Sequence, residues 1–81
     1  MEIRVTLFAA LRDAAGTSEV RVPWKQGMTC RDVLDELKNN LSPLTPLLMR
    51  SFVAVNGTYA ESGLRLRPED EISVLPPVSG G

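Results

Sequence analysis

The sequence predicts an α+β fold: a mixed sheet of about four to five strands, with one main helix packed on one face. Three observations carry this. Glu2 to Phe8 alternates apolar and polar residues, the mark of a half-buried strand. Met28 to Asn40 carries a helix start signal followed by one apolar stripe. Asn56-Gly57 sits between two further apolar runs and is a strong hairpin turn signal.

In the first strand, Ile3, Val5 and Leu7 share one face, and Glu2, Arg4, Thr6 and Phe8 share the other. Phe8 is the anomaly on the polar face. Either it turns inward where the strand ends, or it is an exposed aromatic able to anchor a partner. Ala9 to Ala15 is alanine-rich and favours a short helix, and Gly16 supplies its stop. Ser18 to Val22 alternates again with Val20 and Val22 inward, and Pro23 ends it. The first two strands then form a hairpin-like pair joined by a helical connection.

The main helix has Thr29 as N-cap with Asp32 at capping-box spacing, and Met28 and Val33 placed as a hydrophobic staple. Val33, Leu34, Leu37 and Leu41 form its apolar stripe; Asp35, Glu36, Lys38 and Asn39 lie toward solvent. Cys30 opens the helix. A thiol there can be acidified and reactive; without a base or second cysteine it also reads as a small buried apolar group. Ser42-Pro43-Leu44-Thr45-Pro46 is a proline-punctuated connection, and Leu47-Leu48-Met49 adds an apolar turn over the core. Phe52 to Val55 is the third strand and Thr58 to Ala60 its short return. Leu64 to Leu66 forms a brief strand or bridge, Pro68-Glu69-Asp70 turns, and Glu71 to Leu75 is the last strand. There Ile72 and Val74 share one face, Ser73 and Leu75 the other.

At 81 residues a single domain is expected, residues 1–75 forming the body and 76–81 an extended tail. The net charge of −1, with signs interspersed, argues against a nucleic-acid or membrane partner. With one cysteine, the chain has no internal disulfide or thiolate zinc site, and this suits the reducing cytoplasm. The lack of histidine excludes Ser-His and Cys-His catalysis within the chain. No metal or bound cofactor is expected. Met1-Glu2-Ile3-Arg4 alternates instead of building the apolar block of a signal peptide.

The tail is Pro76-Pro77-Val78-Ser79-Gly80-Gly81. Consecutive prolines remove two backbone donors, so sheet pairing must stop, and they favour a stiff extended stalk. Gly80 and Gly81 make the end as thin as a polypeptide can be. Fully extended, the tail reaches roughly 20 Å, enough to present a carboxylate inside another protein. Small terminal residues also read as a frayed end; a frayed end needs no stalk.

These residues carry a resemblance. Leu7-Phe8-Ala9-Ala10-Leu11-Arg12 running to Gly16, Val53-Ala54-Val55-Asn56, and Asp70-Glu71-Ile72 leading into the Pro-Pro-Val-Ser-Gly-Gly end resemble the ubiquitin-like β-grasp carriers. More narrowly, they resemble the small sulfur-carrier subunits of molybdopterin synthase. The chain departs at Leu75, where the family often places an aromatic. The resemblance implies that the first and last strands are parallel neighbours. Phe8 and Leu75 then form an apolar patch at the tail root, with Phe52 and Ala54 extending it. Arg12 matches the family's arginine, which either pairs across an interface or is simply solvated.

The implied chemistry is sulfur carriage. A ubiquitin-activating-type (MoeB-type) enzyme adenylates Gly81 with ATP, a sulfur donor converts it to a thiocarboxylate, and the tail enters the large subunit. There sulfur passes to cyclic pyranopterin monophosphate. Pro76, Pro77, Val78, Ser79 and Gly80 serve as the delivery arm. Sulfur carriage for thiamine or tRNA thiolation, a lysine-conjugated protein modifier, and an interaction domain with an inert tail are the alternatives.

Overall fold

A computed structural model describes residues 1–77. Strands β1 (Glu2–Leu7), β2 (Glu19–Pro23), β3 (Phe52–Val55), β4 (Thr58–Tyr59) and β5 (Ile72–Leu75) form one sheet in the order β2-β1-β5-β3-β4. Helices α1 (Ala9–Ala15), α2 (Cys30–Asn40) and α3 (Thr45–Leu48) connect them, with a 3-10 turn at Ser42–Leu44.

The β1–β2 pair is antiparallel, Ile3 opposite Val22 and Val5 opposite Val20. β5 lies parallel to β1, Leu7 opposite Val74, and antiparallel to β3, Phe52 opposite Leu75. The parallel pairing implied by the resemblance is therefore present. Period-2 alternation sends Ile3, Val5, Leu7, Val22, Val53, Val55, Ile72 and Val74 to one face, where they are buried with Val33 and Leu37 of α2. Burial of these side chains holds the helix to the sheet.

Local chemistry fixes the elements. Gly16 ends α1 in the left-handed region, φ 75°, its N–H donating to the Arg12 carbonyl. The Thr29–Asp32 capping box forms in full: the Thr29 N–H donates to Asp32 Oδ2 at 2.9 Å, and the Asp32 N–H donates to Thr29 Oγ1 at 3.4 Å. Met28 and Val33 both enter the core. The loop seals the same helix start, since the Cys30 and Arg31 N–H groups donate to the Leu64 and Ser62 carbonyls. Asn56 and Gly57, φ 52° and 84°, take the two left-handed positions of a tight hairpin turn.

Several expectations need correction. The second strand begins at Glu19, not Ser18, and includes Pro23, which pairs opposite Glu2. The first strand stops at Leu7, and Phe8 precedes α1 as its N-cap residue. Glu71 precedes β5, and Ala60 follows β4 while its N–H still donates to the Val53 carbonyl. In the Leu47-Leu48-Met49 turn, Leu48 is buried, but Met49 faces solvent because α3 ends at Leu48. The brief element at Leu64–Leu66 is a single antiparallel bridge, Arg65 to Thr29.

Candidate functional site at the root of the tail

β5 ends at Leu75, and Pro76 and Pro77 follow outside the strand, both half-buried. Val78, Ser79, Gly80 and Gly81, including the expected reacting carboxyl, lie outside the described residues. What the structure places is the ground from which they start.

Leu75 is beside Phe8 and Phe52, as the alternation and the implied strand order required. The Phe8 N–H donates to the Val74 carbonyl at 3.3 Å, continuing the β1–β5 ladder one residue past β1. Phe8 does not turn inward: it is 41% exposed and lines a shallow groove of about 260 Å³ on the sheet face away from α2. Ala54, Gly57, Tyr59, Ser73 and Leu75 complete the groove. Phe52 pairs with Leu75 and is 55% exposed. Ala54 is only 7% exposed although it lies on this outer face and outside the main core cluster. Its bulkier neighbours cover it.

Tyr59 is the residue the sequence reading missed. It is 73% exposed, pairs with Ala54, and meets Phe52 edge to face. The signal was available. A two-residue Asn56-Gly57 turn places 55 opposite 58 and 54 opposite 59, so Tyr59 had to share the outer face with Ala54. The exposed aromatics and Leu75 thus gather into one apolar surface at the tail root, while the β1–β2 half of the same face carries Arg4, Glu19 and Arg21.

Arg12 does not reach into this groove's lining. Its guanidinium is solvent-exposed, 3.6 Å from the still more exposed Asp13 carboxylate. Cys30 is 1% exposed, and burial, followed by the nearby Asp70 charge, pushes its thiol pKa up. That favours the packed, unreactive reading of this residue. A larger open groove of about 460 Å³ lies away from the tail root, between Pro23–Met28 and the Asp32–Glu36 face of α2. Among the described residues no group of three or more His, Cys, Asp or Glu is placed to hold a metal ion, and no helix is long and apolar enough to cross a membrane.

A sheet of this order, with a helix across one face and the outgoing strand at its centre, is the ubiquitin-like β-grasp fold. The chain superposes on the crystal structure of SAMP1, a small archaeal modifier protein, from Haloferax volcanii, with a TM-score of 0.86 and 31% identity over all of both chains. It also matches one chain in the structure of the protein-protein complex of subunits 1 and 2 of the molybdopterin-converting factor from Helicobacter pylori 26695, with a TM-score of 0.65 and 25% identity over 100% of this chain and 100% of that one. The chain belongs to the ThiS family, whose model matches residues 5–81. A molybdopterin synthase sulfur carrier subunit from Arabidopsis thaliana is 31% identical over 81 residues, covering 100% of this chain and 84% of that relative.

Proposed function

We propose that the chain is a sulfur carrier in molybdenum cofactor biosynthesis, the small subunit of a molybdopterin synthase. The observation that carries this reading is the apolar groove at the root of the outgoing strand, in a chain matched end to end by relatives bearing that name. Family membership supports carriage; the relatives' name supports the product.

In this reading a ubiquitin-activating-type (MoeB-type) enzyme binds the outer sheet face through Phe8, Phe52, Tyr59 and Leu75, with Arg12 at its rim. The Gly81 carboxylate attacks the α-phosphate of ATP, releasing pyrophosphate and leaving an acyl adenylate. A sulfur donor displaces AMP and leaves a thiocarboxylate, a polarisable sulfur nucleophile. The same face then docks on the large subunit. The arm from Pro76 to Gly80 delivers the sulfur to cyclic pyranopterin monophosphate, so this chain's contribution is positioning. The Helicobacter pylori two-subunit complex supports a large-subunit partner of this kind. Acid–base groups and phosphate binding belong to the partners.

The test is intact-mass analysis of the chain purified with its native partners. A terminal oxygen replaced by sulfur, and loss of molybdopterin synthesis on deleting Gly81, are expected. Continued synthesis without Gly81 overturns the reading. A second reading, conjugation to lysines of other proteins, is favoured by the likeness to the archaeal modifier. Lysine adducts of a tagged chain would support it.

A further inference from the structure

β4 has two residues, while β3, which it covers, has four. Ala54 and Val55 pair with Tyr59 and Thr58, and the Ala60 N–H donates to the Val53 carbonyl at 2.9 Å. There the covering strand leaves. The Arg31 N–H donates to the Ser62 carbonyl and the Cys30 N–H to the Leu64 carbonyl, so the chain after Ala60 is drawn to the start of α2. The edge of β3 beside Ser51 and Phe52 is left open.

The ladder fixes where each backbone group on that edge points. The Asn56 N–H donates to the Glu71 carbonyl, so Asn56, Ala54 and Phe52 address β5. Val53 and Ser51 therefore address the open side. Among the described residues the Val53 N–H has no acceptor and the Ser51 carbonyl no donor. Val53 is 6% exposed, and buried backbone N–H groups are nearly always paired. A groove of about 220 Å³ lies against this edge, walled by Leu34 of α2, by Tyr59 and Ala60, and by Ser51 to Val53. The opposite edge of the sheet is β2, which Glu19, Arg21 and Pro23 guard against pairing. The β3 edge is flanked instead by the exposed rings of Phe52 and Tyr59.

We propose that the open edge of β3 is a strand-addition site: it takes an extended segment of a partner protein that runs parallel to β3 and seats an apolar side chain in the groove. The two backbone groups set the direction. A carbonyl and an N–H on either side of Phe52 are bridged by one residue of a parallel strand, whose N–H donates to the Ser51 carbonyl and whose carbonyl accepts from the Val53 N–H. An antiparallel strand needs a residue opposite Val53, where Ala60 already sits. The bridging residue's side chain stands beside Phe52 on the outer face, and the preceding one falls toward Leu34. Arg50, next to Ser51, is exposed and has no ion pair among the described residues, which suits an acidic residue one position further back. Tyr59 lines both this groove and the one at the tail root, so the segment extends the outer docking face. The site does not depend on the carrier reading or on the tail.

The probe is acetyl-Asp-Ile-Val-Gly-amide, titrated into the isotope-labelled full chain and followed by amide resonances. Saturable shifts at Phe52 and Val53 are expected, with a Kd of about 1 mM or tighter. In the free chain the Val53 amide is expected to exchange faster than that of Val55, which pairs with Thr58. Peptide at about ten times its Kd is expected to slow Val53 exchange about tenfold. Methylating the valine nitrogen of the peptide removes the donor to Ser51 and is expected to weaken binding at least about tenfold. Equal binding of the methylated peptide, shifts confined to Phe8 and Leu75, a Val53 amide as protected as Val55 in the free chain, or no saturation with about 5 mM peptide overturns the proposal.

Discussion

Phe52 and Tyr59 meet edge to face across the β3–β4 hairpin, their ring centroids 6.1 Å apart and their planes at 65°. Both rings stand on the solvent side of the sheet, so the pair contributes little to the core and most of its area is available to a partner. Tyr59→Ala is expected to weaken large-subunit binding by about 1–2 kcal/mol, as loss of an aromatic anchor does. The same change is expected to cost stability less than about 1 kcal/mol, the lost edge contact. Titration calorimetry and urea denaturation separate the two. Equal losses in both would make Tyr59 a stability residue.

The start of α2 is held by a reciprocal pair of hydrogen bonds, and Thr29→Ala removes the acceptor for the Asp32 N–H. A loss of about 1 kcal/mol is expected from the urea midpoint. Leu37→Ala, in the middle of the same helix and fully buried, is expected to cost about 2–5 kcal/mol because a cavity remains. The contrast checks that the helix depends more on its packed face than on its cap.

Asn56 joins the hairpin turn to the approach of β5. Its Oδ1 accepts from the Glu71 N–H at 2.9 Å, its Nδ2 donates to Asp70 Oδ1 at 3.0 Å, and its own N–H donates to the Glu71 carbonyl. Asn56 also occupies a left-handed position, φ 52°, which asparagine tolerates better than alanine. Asn56→Ala is expected to lower stability by about 1–2 kcal/mol, through two side-chain bonds and backbone strain. Asn56→Gly, which relieves the strain, is expected to lose less. Amide exchange at Glu71 is expected to quicken in both.

Cys30 gives a pH dependence of defined sign. Its folded pKa is raised above the ordinary 9.0 by burial and then by the Asp70 charge. The folded state therefore keeps the thiol proton where the unfolded chain has released it. This contribution is fully present below pH 9.0, the ordinary thiol value, and is lost as pH rises through the folded value. Urea midpoints taken from pH 7 upward are expected to fall above about pH 9, and Cys30→Ala is expected to flatten that fall.

The sequence disclosed the elements whose chemistry is local. The Thr29–Asp32 box, the Gly16 stop, the Asn56-Gly57 turn and the alternation of Ile72 and Val74 each depend on neighbours a few residues away, and each formed. Phe8 stayed ambiguous because alternation fixes a side only while the strand continues, and β1 ends one residue earlier. The parallel β1–β5 pairing came from family likeness, since no local signal joins residues so far apart. Met49 was misplaced because α3 is too short for periodicity to show which way its last residues face. Tyr59 was overlooked for the opposite reason: its position follows from the turn geometry, but exposed aromatics in a two-residue strand attract little notice.

β5, the strand leading to the tail, has β1 on one side and β3 on the other. A partner that tugs on Pro76 and Pro77 pulls along the axis of this strand. The ladder bonds on both flanks are then loaded together in shear and are not peeled one after another, because they run across the direction of pull. An edge strand under the same tension would have bonds on one flank only to resist it. A pull on the outgoing chain is therefore shared between two neighbouring strands.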